Sequence, residues 1–247
     1  MPADAAAVPD EGEALPDHGE APPAAPSIVG RDLFKIYKQG QSETVALRGA
    51  SLEVRSGEFV SLMGPSGSGK STLLAILAGL ARPSAGTAVV EGQDLAGLDE
   101  AATARWRGQR VGVVFQRGNL VPFLTAAENV ALVARRRLGR AGARRRAEEL
   151  LEVMGLSERA HHRPGRLSGG EAQRAGIAVA LANEPGLLLG DEVTGELDSE
   201  TSAQVMGVLT GLQRDQGLTL FLVTHDPGVA AQADRRLEIT DGVIRRP

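Results

Sequence analysis

The run Gly64-Pro65-Ser66-Gly67-Ser68-Gly69-Lys70-Ser71 places three glycines, a lysine and a hydroxyl at the spacing of a phosphate cradle. Glycines at 64, 67 and 69 let the chain turn tightly and bring its N–H groups close to a phosphate, where a Cβ would intrude. A helix opening near Lys70 adds the positive end of its dipole. Lys70 would reach the β- and γ-phosphates of a nucleoside triphosphate, and the Ser71 hydroxyl would ligate Mg²⁺. Pro65, Ser66, Ser68 and Thr72 complete the stretch expected to touch the nucleotide. Glycine-rich strand-to-helix turns also occur without ligands, and the flanks decide between the two. Phe59 to Met63 is an apolar run with the character of a buried strand, and Leu73, Leu74, Ile76, Leu77 and Leu80 follow at helical spacing.

Two further groups carry chemistry. Leu187-Leu188-Leu189-Gly190 ends in Asp191 and Glu192. Side chains alternate along a strand, so adjacent carboxylates take different roles: Asp191 near Mg²⁺ and Glu192 polarising an attacking water. Alone, the pair reads equally as turn residues capping a helix; a phosphate loop upstream favours the chemical role. The second group is Leu167-Ser168-Gly169-Gly170-Glu171. Ser168 and Glu171 form a capping box opening a helix. Two glycines in a first turn cost about 1 kcal/mol each relative to alanine. They make sense where bare N–H groups meet a phosphate, with Ser168 both capping the helix and donating to a γ-phosphate.

The elements that must hold these groups follow from periodicity. Strand candidates at 50–54, 59–63, 87–91 and 111–115 surround the loop, residues 125–182 are mainly helical, and strands return at 187–189 and 218–224. Asp241-Gly242 between Leu237–Thr240 and Val243–Arg245 predicts a closing hairpin. Residues 1–27 hold six acidic and no basic side chains among many Ala and Pro, and are expected to be a disordered solubilising tail. The tail hides a basic remainder: the chain's net charge is −4, and without the tail's −6 the rest carries +2. The 247 residues include no cysteine, which excludes disulfides, thiol nucleophiles and Cys-held metals. Seven arginines crowd positions 135–146. No aromatics accompany them for base stacking, and Glu148, Glu149 and Glu152 follow, so a solvated helix pair near a subunit- or membrane-facing surface is favoured over a nucleic-acid stripe. Trp106 is expected only to pack. No signal segment and no membrane-length apolar run is evident.

In order, Tyr37, the phosphate loop, Gln116, Leu167 to Glu171, Asp191-Glu192, Leu197-Asp198 and His225 resemble the ATP-binding cassette (ABC) family from about Ser27 to the C-terminus. The resemblance implies an α/β fold: a P-loop (RecA-like) core with an antiparallel β subdomain and an inserted helical subdomain at about 117–182, the whole occupying 28–247. It implies that Tyr37 stacks on adenine, Gln116 senses Mg²⁺ and the γ-phosphate, His225 holds the γ-phosphate and water, and Asp198 runs across a dimer interface. It implies ATP and Mg²⁺ as cofactors, with Ser71, Gln116 and Asp191 at the metal. Expected partners are a second ATPase subunit, most simply an identical one, and an integral membrane permease, with no nucleic acid. The expected location is cytoplasmic, peripheral on the inner face of the membrane. Val45-Ala46-Leu47, Gly49, Asn119 to Pro122 and Thr194 to Asp198 look like the lipoprotein-release and macrolide-export branch. Gly190, Val193, Ala172 and Val179 depart from the family's frequent Ala, Pro, Gln and Arg, which leaves turnover rate open. The competing functions are a soluble ABC ATPase of translation or DNA repair, and a regulatory module that binds ATP without appreciable turnover.

Overall fold

The structure, a computed structural model, describes residues 25–40, 42–116 and 119–245. Two long strands, β1 (Pro26–Gln39) and β2 (Ser42–Arg55), pair antiparallel, and the alternating burial of β2 marks a sheet with one covered face. β3 (Phe59–Met63) leads through the glycine loop into α1 (Lys70–Leu77). β4 (Ala85–Val90) and β5 (Gln93–Asp94) extend the antiparallel sheet, giving the order β2-β1-β4-β5. After α2 (Glu100–Arg110) and β6 (Val111–Val114) comes the helical stretch: α3 (Ala126–Val153), broken at Gly139, and α4 (Gly169–Leu181). The chain finishes with β7 (Leu187–Asp191), α5 (Ser199–Gln216), β8 (Thr219–Val223), α6 (Pro227–Ala230), β9 (Arg235–Thr240) and β10 (Val243–Arg245).

The second sheet runs β10-β9-β3-β8-β7-β6, with β9, β3, β8, β7 and β6 parallel and β10 antiparallel at the edge. Alternation along its strands splits the core. Val60, Leu62, Leu187, Leu189, Phe221 and Val223 pack with α1, Trp106 and the antiparallel sheet; Phe59, Leu188, Leu220 and Leu222 pack with the helices on the other face. Strands covered on both faces are near-continuously apolar, which is why β3, β7 and β8 stand out in the sequence. Because they are parallel, their carboxyl ends share one edge. Leu62 pairs with Val223, Asp191 with Val223, and Val114 with Gly190, so the phosphate loop, Gln116, Glu192 and His225 all leave the sheet there.

Three expectations change in detail. The expected tail ends too late: β1 begins at Pro26, and Ser27 is buried, with its hydroxyl donating to the Glu91 carboxylate and its carbonyl accepting the Glu91 N–H at 2.7 Å. The expected disorder of 1–24 lies outside the described residues. Tyr37 lies within the first strand rather than ahead of the core strands, because the mixed Arg, Asp and Lys content of β1 masks its period. The arginine segment is only partly solvated. Arg137 donates to Asn183 O at 2.5 Å and pairs with Glu184 at 2.7 Å, while Arg146 donates to Leu181 O at 3.3 Å. These cations meet the negative C-terminal end of α4 and tie α3 to it. The hairpin is as expected: Asp241 and Gly242 both have positive φ (50° and 76°), the geometry of a two-residue I′ turn.

Candidate active site

The chain leaves β3 through Gly64, whose φ is 157°, and enters α1 through Gly69, at 104°. Space forbids side chains at both. A Cβ at Gly64 would stand 2.2 Å from Ile239 O, and one at Gly69 would stand 2.4 Å from Ala46 O. Gly69 caps α1 without a side-chain hydrogen bond, so the first-turn N–H groups of the helix are left for something else. Lys70 Nζ lies across the loop, donating to Gly64 O at 2.9 Å and Pro65 O at 2.7 Å.

Beside it, Ser71 Oγ donates to Asp191 Oδ2 at 2.7 Å. The next residue, Glu192, takes a positive φ of 52°, with its amide donating to Val223 O at 2.9 Å. This turn carries its carboxylate out of the strand line, where both oxygens are held. Gln116 Nε2 donates to Oε2 at 2.7 Å and His225 Nδ1 to Oε1 at 2.9 Å. Gly64, Ser66, Gly67, Gly69, Lys70, Ser71, Thr72, Gln116, Asp191, Glu192 and His225 thus line one cavity of about 430 Å³, with Ala46 as a wall. No group of three His, Cys, Asp or Glu side chains poised for a metal occurs among the described residues. The Ser71–Asp191 oxygen pair with the Gln116 amide is instead a sparse, hard donor set. It suits a small cation that keeps water and phosphate ligands.

The other expected residues lie elsewhere. Ser168 caps α4, its Oγ accepting the Glu171 N–H at 3.2 Å while Glu171 Oε2 accepts the Ser168 N–H at 2.8 Å. The Ser168 amide and then Arg159, 2.9 Å away, hold the Glu171 carboxyl below the usual carboxylate range. Ser168, Gly170 and Glu171 do not line the phosphate-loop cavity, and Gly169 lines a neighbouring one of about 340 Å³ that shares Gln116. Tyr37 sits exposed on β1 opposite Thr44, with Lys35 Nζ 5.1 Å from its ring centre, and it too lies outside the cavity lining. Pro65 enters through its carbonyl, and Ser68 is buried with its hydroxyl unpartnered. Asp198 caps α5 through the Glu200 and Thr201 amides.

Residues 47–195 match the family model for ABC transporters. The chain belongs to the ABC transporter family. It is an ATP-binding cassette 45% identical to an uncharacterized ABC transporter ATP-binding protein of Thermotoga maritima, over 86% of this chain and 91% of that one. It is 48% identical to the macrolide export ATP-binding/permease protein MacB of Marinobacter nauticus, over 89% of this chain but 34% of MacB. The cassette therefore spans about a third of such relatives. A solved dimeric, post-hydrolysis structure of the ATP-binding cassette MJ0796 with ADP and Pi is 39% identical, with a TM-score of 0.84, over 89% of this chain and 97% of that one. The macrolide-export resemblance read from the motifs agrees with the name of MacB. No helix among the described residues is long and apolar enough to cross a membrane.

Two residues read from the sequence only as marks of a family branch contribute to the site. Ala46 walls the cavity through strand geometry that its motif does not announce. Asn119 grips both backbone groups of Phe115, accepting its N–H at 2.7 Å and donating to its carbonyl at 2.6 Å. It also rests against Gly176 of α4, where a Cβ would come within 2.7 Å of its own. It ties the segment bearing Gln116 to the helix that Ser168 opens. The signal available was an Asn three residues after Gln116, a side chain suited to imitating a backbone turn.

Proposed function

We propose that the cassette hydrolyses Mg-ATP and drives a membrane permease, working as two copies with nucleotide held between them. The observation that carries this reading is the Glu192 carboxylate, fixed on one side by Gln116 and on the other by His225, on the edge where Lys70, Ser71 and Asp191 converge.

Binding would exchange the Gly64 and Pro65 carbonyls on Lys70 for the β- and γ-phosphates, with the free N–H groups of the loop and α1 around them. Tyr37, exposed on the adjoining sheet, would stack on the adenine. Ser71, Asp191 and Gln116 would hold Mg²⁺, which neutralises charge on the phosphate oxygens. Glu192 would then accept a proton from water as the water oxygen bonds to the γ-phosphorus, and the bond to the β-phosphate oxygen would break, leaving ADP and phosphate. His225, protonated on both ring nitrogens, would keep Nδ1–H on Glu192 and donate Nε2–H to the γ-phosphate. Ser168, Gly169 and Gly170 stand outside their own chain's cavity, so their donors would reach the γ-phosphate of the partner copy head to tail. ATP favours the closed pair and hydrolysis releases it, which biases a permease between two states. The cassette would accordingly sit at the inner face of a membrane through that partner. Relatives named as transport proteins favour this role over translation or DNA repair.

Glu192→Gln keeps the hydrogen-bonding shape and removes the base. Turnover should fall about 10²- to 10⁴-fold while ATP still binds and a dimer accumulates on gel filtration. Wild-type turnover would remove Glu192 as base. Affinity purification of this variant with Mg-ATP from detergent-solubilised cells should recover a stoichiometric integral membrane protein. Recovery of ribosomes or DNA-bound proteins instead would overturn the transport reading.

A further inference from the structure

Gly190 and Val193, on either side of the Asp191-Glu192 pair, fit one another. The φ of Gly190 lies outside the left-handed region, so backbone conformation does not demand glycine there. Space does. A Cβ at Gly190 would lie 2.4 Å from Val193 Cγ1 and 2.8 Å from Leu222 Cδ2. Val193 and Leu222 are 1% and 0% exposed, so neither can swing into solvent. The backbone joining 190 to 193 passes through Glu192 at φ 52°, a conformation that a side-chain-bearing residue holds only when its surroundings impose it. Two hydrogen bonds help, from the Glu192 amide to Val223 O and from the Gly195 amide to Glu192 O at 3.0 Å. The Val193 side chain takes the space that a side chain at 190 would fill.

We infer that Gly190 and Val193 are a positioning pair whose contact sets the height of the turn and so places the Glu192 carboxylate between Gln116 and His225. The inference rests on Glu192 being the base. It goes further in making turnover depend on two residues that touch neither nucleotide nor water.

The test is a double-mutant cycle on the full chain, read by steady-state and single-turnover ATP hydrolysis. Gly190→Ala should lower kcat at least about tenfold while KM for ATP stays within about threefold, because the loop that binds phosphate is untouched. Val193→Ala should lower kcat less, by loosening the turn. The double variant should recover part of what Gly190→Ala loses, since shortening Val193 removes the nearer clash and leaves that with Leu222 Cδ2 at 2.8 Å. Should Gly190→Ala fail to fold, the other corner of the cycle carries the same question: adding Gly190→Ala to Val193→Ala must give a folded chain and lower kcat by well under about tenfold. Additive losses, a wild-type kcat in Gly190→Ala, or an effect confined to KM would each overturn the pairing. Glu192→Gln is run alongside. If it turns over ATP like wild type, base and brace fall together; if it is inactive while Gly190→Ala is unimpaired, only the brace fails.

Discussion

At the scale of single residues the site is a set of charges already occupied. Lys70 binds carbonyls of its own loop, Ser71 binds Asp191, and Glu192 is bound twice. On the proposed function nucleotide would replace existing hydrogen bonds rather than order loose side chains, which would lower the entropic cost of binding. Lys70→Ala removes the one cation in this exchange. Charge-assisted hydrogen bonds contribute about 1.5–3 kcal/mol, so fluorescent-nucleotide titration should show binding weakened roughly tenfold to a hundredfold or more. Lys70→Arg should not restore it, because a planar guanidinium does not fill an ammonium's place between two carbonyls. Most of these residues were legible in the sequence, since phosphate and proton chemistry limit the side chains that can serve. The relation of Gly190 to Val193 was not. In the sequence they are two separate departures from a common pattern, and only the turn through Glu192 brings one against the other.

Helix starts form the next scale. Among the described residues, five helices open with side-chain caps: Asp99 at α2, Thr125 with Glu128 at α3, Ser168 with Glu171 at α4, Asp198 at α5 and Asp226 at α6. α1 opens on bare Gly69. The contrast marks α1 as a start that no side chain closes, while the α4 cap takes the Ser168 and Glu171 amides and not those of Gly169 and Gly170. Glu171 is held in its charged form by the Ser168 amide and then by Arg159. A carboxyl whose folded pKa is lowered adds stability that is present in full above its unfolded value, near 4.5, and that disappears as pH falls through the lower folded value. Glu171→Gln should thus melt a few degrees below wild type at pH 7, and the gap should close as pH drops below about 4.5. A gap independent of pH would mean that the charge of Glu171 does not stabilise α4. The α4 cap was readable as an S-x-x-E pattern. β1 was not readable at full length, because its polar residues face solvent on one side and its bulges interrupt the alternation.

For the molecule as a whole, the separation between the phosphate-loop cavity and Ser168 is the decisive geometry. Two defective chains should repair each other. Lys70→Ala has a damaged loop and an intact Ser168; Ser168→Arg has the reverse. A head-to-tail pair of the two contains one fully intact site. Mixing them should raise single-turnover hydrolysis well above the sum of the separate proteins. No gain on mixing would show that each site is complete within one chain. The layered architecture was foreseeable from the apolar runs and the helical middle. The strand order was not, because β9, late in the chain, pairs directly with β3.

That pairing also governs when the site can exist during synthesis. The Gly242 amide donates to Ser68 O at 3.0 Å, the Arg48 amide donates to Gly242 O at 2.9 Å, and the Ile239 carbonyl closes the space beside Gly64. The loop that greets phosphate is thus buttressed by residues translated roughly 170 codons after it, some ten to thirty seconds later at ordinary ribosome speeds. Until then a nascent cassette has its nucleotide motif outside the ribosome but no wall to hold it in shape. On the proposed function a growing chain would not close on ATP, or on a neighbouring nascent chain through ATP, before β9 and its turn have emerged.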